Sequence, residues 1–429
     1  MVRGTVIALV LVVTAVAVGY FSMRQDYSSD VGIDQELEQL SAASSASSIK
    51  AKNNSTVQKK SLRKVGLFGQ LCEGSGSFKL RTFPLDVQHI ELITPMGRVQ
   101  DSHVRPTDHQ YVIPKGTVSG SLVTNEPKKY EIRAPAKGHI INVELFREPV
   151  EAQYRTQEYR DNYLVIFEHS CNFYTRLIHI DTLTDRILHA LTFRNPTSQH
   201  PYAFGRVPVA EGEVIGTVGP HSFDFQLVDT SKKNPRIISP GKIDNLTAYT
   251  QDTFAYLASP LREELLKKNM RTKAPFGGDV GMDYPGTLAG NWFRVGRITD
   301  RDRKPDYWSD ELSVVYDHLD PSQIRVSLGH FDGYPKAFGV KGNAPDPKKV
   351  RVGSGAVKYE LVTFDYFVGG VRWDTLHFAS DIVANNLNEF RGTVLFELVD
   401  NKTLRAEVFS GKTAPEVSGF SDKAILYER

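Results

Sequence analysis

Two neighbouring runs, Tyr163-Leu-Val-Ile-Phe-Glu-His169 and Thr175-Arg-Leu-Ile-His179, decide the fold class of this 429-residue chain. Both are short and dominated by β-branched, aromatic and aliphatic residues, the side chains that fit a pleated, half-buried surface. Runs of the same kind lie on either side: YEIRAP (130–135), HIINVELF (139–146), EVIGTVG (213–219) and DFQLVD (224–229). Further along come IRVSLGHF (324–331), VKYELVTF (357–364), GTVLFELVD (392–400) and TLRAEVFSG (403–411). Turn residues punctuate them, so the chain reads as mainly β, built of antiparallel sheet packed as sandwich or barrel.

One stretch breaks the pattern. FAYLASPLREELLKK (254–268) places apolar residues at helical spacing, with Pro260 near the start and basic residues at the end. The Gly- and Pro-bearing segment KAPFGGDVGMDYPG (273–286) follows. Residues 255–286 are therefore expected as a short helical linker between one β domain at 64–254 and an accessory antiparallel β domain at 287–429. In the second domain Gly290-Asn-Trp292 is similar to the Gly-x-Trp opening strand of lipocalin-like barrels. That likeness implies a barrel, with a small-ligand carrier among the functions it admits; a sandwich around the same aromatic residues is the other form.

The N-terminal residues differ in kind. TVIALVLVVTAVAVGY (5–20) has no charge and no proline, so it can satisfy its backbone as a helix in hydrocarbon. It predicts a membrane anchor or signal-anchor over 1–27 and a single-pass protein, N-terminus inside and domains extracytoplasmic. Residues 28–63, rich in Ser, Ala, Lys, Asn and Gln, read as a flexible linker. A net charge of +2 singles out no partner, and no basic stripe with interleaved aromatics marks a nucleic-acid surface. The two cysteines, Cys72 and Cys171, either bridge in an exported protein or remain small buried hydrophobes.

Between Pro95 and Thr230 an ordered series appears that β periodicity alone does not require. His103-Val-Arg-Pro-Thr-Asp108-His109 comes first, then Ala134-Pro-Ala-Lys-Gly138, then His169 and His179 ten residues apart. Val209-Ala-Glu-Gly212-Glu-Val-Ile-Gly216-Thr-Val-Gly219 follows, and Pro220-His221-Ser-Phe-Asp224-Phe-Gln-Leu ends it. This order resembles the lysostaphin-type (duplicated hybrid motif) zinc metallopeptidases, over about a third of the chain. It departs from their pattern in two places. Five positions rather than four separate His103 from Asp108, and no register of the last motif restores His-x-His.

The resemblance implies a zinc or other divalent metal held by His103, Asp108 and Asp224, with His179 and His221 as the catalytic pair. Such a metal would bring the pKa of a bound water to about 7 and so make hydroxide available for peptide hydrolysis. Two carboxylates and one imidazole would favour harder ions such as Mg²⁺ or Mn²⁺, whereas a set using His109 or His221 would suit zinc. Two functions follow from the resemblance. One is a metal-dependent hydrolase of cell-envelope peptides; the other is a catalytically inactive module that binds an envelope component or activates an envelope partner.

Overall fold

The β-branched runs pair as two separate sheet systems plus a small third sheet, all with antiparallel neighbours. The computed structural model describes residues 64–117, 129–149, 159–297 and 307–429. The first system joins β1 (Ile90–Thr94), β2 (Gln110–Pro114), β4 (Gly138–Pro149), β5 (Tyr159–Ser170), β6 (Phe173–Ile180), β8 (Tyr202–Val209) and β10 (Phe223–Asp229). Their order is β1-β2-β10-β6-β5-β4-β8. A three-stranded sheet of β3 (Tyr130–Arg133), β9 (Val214–Val218) and β7 (Thr182–Leu183) packs against one face of it. Phe223, Phe225 and Leu227 of β10 meet Val165 and Phe167 of β5 and Ile132, Ile215 and Val218 of the small sheet in one buried core.

Two motif glycines have a steric reason. A Cβ on Gly216 would stand 1.8 Å from the Thr182 carbonyl oxygen, where β7 crosses β9. One on Gly138 would stand 2.3 Å from the carbonyl of Glu168, where β4 begins against β5. Both strands approach too closely for any side chain.

The second system is a closed barrel. Its strands are β11 (Gly290–Arg294), β12 (Glu311–Tyr316), β13 (Ile324–Phe331), β14 (Tyr334–Val340), β15 (Val357–Val368), β17 (Val383–Leu398), β18 (Thr403–Ser410) and β19 (Ile425–Glu428). Each pairs with its sequence neighbour around the ring, β19 returns to β11, and the short β16 (Val371–Arg372) extends the β15 side. Pairing of β14 with β15, Gly339 opposite Val362, completes eight strands and leaves no open edge in the ring. Trp292, Phe338, Tyr359, Leu361, Val394 and Phe396 fill the interior, all fully buried. The Trp292 indole N–H donates to the Leu288 carbonyl at 2.9 Å, and the Arg429 guanidinium lies 4.1 Å from its ring centroid. Side chains packed in this way make the barrel interior a core.

Two expectations are corrected. The helical linker reduces to α2 (Leu261–Leu266); with α1 (Asp185–His189) it makes two short α-helices among the described residues. Asp252 caps a 3-10 turn at Thr253–Tyr256, which sends Phe254 and Tyr256 into the core of the first domain before Pro260 begins the helix. The single-pass membrane reading is not retained, because no helix among the described residues is long and apolar enough to cross a membrane. Residues 5–20, on which that helix was expected, and the linker at 28–63 lie outside the described residues.

Cys72 and Cys171 form a disulfide, with Cα atoms 5.2 Å apart, tying the segment before β1 to the turn between β5 and β6. The two domains also share buried contacts. Leu92 and Ile113 pack with Met270, Leu319, Tyr366 and Trp373, and Val99 packs with Met282 and Val315. Arg105 Nε donates to Glu311 Oε1 at 2.8 Å, on a carboxylate that is 1% exposed.

A candidate binding site of imidazoles and carboxylates

Strand β10 lies between β2 and β6, so its two faces have different fates. Phe223, Phe225 and Leu227 enter the core, and the alternate residues Asp224 and Gln226 face the other side of the sheet. In register, Asp224 stands opposite Tyr111 of β2 and Ile178 of β6. The pairing of β5 with β6 slips here: Val165 opposes Leu177 but Tyr163 opposes Ile180, which leaves one extra residue on β6. That β-bulge places His179 at a φ of 71°, a conformation rare for residues with a Cβ, and re-aims its ring. The Asn162 amide donates to His179 Nδ1 at 2.8 Å, which leaves the ring proton on Nε2, 3.6 Å from Asp224 Oδ2.

A second imidazole approaches the same carboxylate from the loop before β2. His109 Nδ1 donates to Asp108 Oδ1 at 2.9 Å, and its Nε2 lies 3.4 Å from Asp224 Oδ2. Burial alone would lower the pKa of His109, but the charges of Asp224 and Asp108 outweigh it and raise the pKa above its ordinary value. The Tyr111 ring stands edge-on to His109, with centroids 5.0 Å apart, and the His103 ring does the same at 5.8 Å. His103 sits at the solvent-exposed rim. Burial of its ring and the neighbouring His109 push its pKa down to about 4, against the opposing charges of Asp224 and Asp108.

Two atoms at the centre of this group lack a hydrogen-bond partner. They are His109 Nε2 and Asp224 Oδ1, on residues only 8% and 4% exposed. Desolvated donors and acceptors left in this way cost about 1–3 kcal/mol each, so such groups call for an explanation.

The residues expected to hold a metal do not assemble as a ligand set. The Asp108 carboxylate is already engaged: it accepts from Gln226 Nε2 at 3.0 Å, Thr247 Oγ1 at 2.6 Å, His109 Nδ1 at 2.9 Å and Arg176 Nη2 at 3.3 Å. Burial works to raise its pKa, but the Arg176 guanidinium and these hydrogen bonds hold it far below the usual carboxylate range. Asp108 is thus a structural hub that orients His109. Asp224 faces two imidazoles, and His103 makes only an edge contact with His109. Among the described residues no group of three or more His, Cys, Asp or Glu is placed to hold a metal ion. The zinc or other divalent ion implied by the resemblance therefore does not fit these residues, and the metal-binding expectation is withdrawn.

His221, expected as a catalytic partner of His179, is engaged elsewhere. Its Nε2 lies 3.0 Å from Asp181 Oδ1 and its Nδ1 3.0 Å from the Ser222 carbonyl oxygen, in a buried pair whose carboxylate also receives the Gly219 amide. His169 has a satisfied ring, its Nδ1 on the Lys137 carbonyl and its Nε2 accepting from Thr175. Burial pushes its pKa down to about 4. Comparison with family models, with curated proteins and with solved structures finds no match. Tyr111 and Asn162 are the site residues that motif reasoning does not reach, and it offers His109 only as an alternative metal ligand. Nothing local marks Tyr111 or Asn162.

Proposed function

We propose that this chain is a non-catalytic binding module for a peptide-bearing component of the cell envelope, built on a scaffold of the lysostaphin type. The observation that carries the reading is the buried, incompletely satisfied pair of His109 and Asp224, flanked by His103, Tyr111 and His179. Such a pair is pre-positioned for a polar group from outside, and buried polar atoms left waiting in a folded protein are characteristic of recognition sites. The scaffold part rests on the sequence motifs and their placement. The loop of His103 to His109, the entry at Gly138, the two histidine-bearing strands and the last motif all fall on strands or turns around one sheet. The disulfide fits a protein of an oxidising compartment, where envelope components are met.

The hydrolase reading has less support. The matched positions supply no ligand set, and Asp108, which would be a ligand, is saturated by four donors. The test is retention on insoluble, peptide-crosslinked envelope polymer, with release of soluble fragments and bound metal measured on the same preparation. We expect wild-type protein to be retained without releasing fragments, and Asp224→Ala to lose retention. Released fragments, stoichiometric metal that D224A loses, or absence of retention by the wild type would each overturn the reading.

A further inference from the structure

The chemistry of the orphaned pair restricts what can occupy it. His109 Nδ1–H is committed to Asp108, so Nε2 is the ring's one remaining polar atom, and a carboxylate oxygen 3.4 Å away favours a proton on it. Asp224 Oδ2 already lies between two imidazoles, so Oδ1 is its remaining acceptor. An occupant must therefore accept from one atom and donate to the other. Charge narrows the field further. The carboxylates of Asp108 and Asp224 face Arg176 and His109 at 3.3, 2.9 and 3.4 Å, so groups of both signs border the site. A carboxylate would face Asp224, and an ammonium would face His109 and Arg176.

Shape separates the uncharged groups. The rings of His103 and Tyr111 stand edge-on to that of His109, with centroids 5.8 and 5.0 Å away, so aromatic rings border the pair. A planar carboxamide packs against aromatic rings and places an acceptor and a donor on adjacent atoms. No hydrogen bond fixes the exposed His103 ring, so it can swing aside for entry.

We propose that the pair formed by His109 and Asp224 recognises a primary carboxamide of a peptide-like ligand, its carbonyl accepting from His109 Nε2–H and its N–H donating to Asp224 Oδ1. The inference rests on the binding reading above and names the chemistry of the same site. A site built around such a donor and acceptor discriminates strongly against isosteres that cannot supply both, because the buried partner is left unpaired.

The test titrates the full chain with three probes that differ in one terminus: N-acetylglycinamide, N-acetylglycine and N-acetylethanolamine. Binding is read from the imidazole ¹⁵N resonances of His109. The expected result is a carboxamide affinity at least about tenfold above both the carboxylate and the hydroxyl probe, with the preference lost in the isosteric Asp224→Asn. Equal or tighter binding of N-acetylglycine or N-acetylethanolamine, or no response of His109 to the carboxamide at 100-fold excess over protein, overturns the proposal. The wild-type ranking decides even if the variant fails to fold. Polymer retention without a carboxamide preference would sink this inference and leave the binding reading standing; a carboxamide preference without retention would do the reverse.

Discussion

Replacing Asp224 by Asn removes one negative charge from beside two imidazoles while keeping the shape of the side chain. At 3.4 Å between His109 Nε2 and Asp224 Oδ2, an effective dielectric of about 20 gives a pairwise attraction of about 5 kcal/mol. That is an upper figure, because Asp108 still holds the other side of the ring and the pair does not act in isolation. Neighbouring opposite charges in proteins shift a pKa by about 1–3 units, and the lower half of that range is expected here. The His109 pKa should therefore fall by about 1–2 units in the variant. The sign follows from the wild type, where the two carboxylates raise this pKa. Histidine Cε1–Hε1 or ¹⁵N chemical shifts followed across pH 4 to 9 in both proteins make the measurement. A His109 pKa that moves by less than about 0.3 units, or that rises, would show that Asp224 is not the group sustaining its charge.

Three further perturbations test the framework around the site. Reducing the Cys72–Cys171 bridge, which spans 99 residues of sequence, should lower stability by about 5 kcal/mol in the chain-entropy account; urea midpoints with and without reductant check it, and a loss below about 1 kcal/mol would contradict it. Arg105→Ala breaks an ion pair whose carboxylate is almost wholly buried and should cost about 3 kcal/mol. It should also speed amide hydrogen exchange over residues 98–109. Acid should destabilise the fold through His169 and His318, whose burial lowers their pKa values to about 4 and about 3. Because the folded values lie below the unfolded 6.5, their contribution is complete above pH 6.5 and is lost as pH falls toward those values, on the order of 2 kcal/mol each by pH 4.5. His109 works oppositely, its raised pKa giving a contribution present below 6.5 and lost as pH rises through the folded value. Denaturant midpoints at pH 7 and 4.5, in wild type and His318→Gln, should show the acid loss shrink in the variant.

The mainly β character was legible because it is local: DFQLVD and YLVIFEH carry their period in their own residues. Closure of the barrel was not. It depends on β14 meeting β15 in register, with Gly339 opposite Val362, a relation between strands that no single run encodes. The helix over 255–268 was over-read because Phe254 and Tyr256 have helical spacing, yet both are drawn into the first core from a 3-10 turn capped by Asp252. At the site, motif order drew attention to β6 and β10 and to His179 and Asp224, which the sheet sets 3.6 Å apart. It misassigned Asp108, because the donors that saturate it, Arg176, Gln226 and Thr247, come from positions 68, 118 and 139 residues away. His179 was placed on a regular strand; the bulge that turns it toward Asp224 exists only in the pairing of β5 with β6.

Arg105 sits in the stretch that delivers His103 and His109, yet its partner Glu311 belongs to the barrel, as does the Val315 that meets Val99. The two domains are therefore poor modules in the engineering sense. Excising residues 64–254 would take Glu311 away from Arg105 and uncover Val99 on the very stretch that frames the site, and a fragment that still folded would present its imidazoles in the wrong places. Conversely, a sequence change on the barrel's β12 has a direct mechanical line to the first domain's recognition loop. Selection on this protein should act on the two halves as one unit, and grafting either half onto another partner should require the Glu311 side of that contact to travel with it.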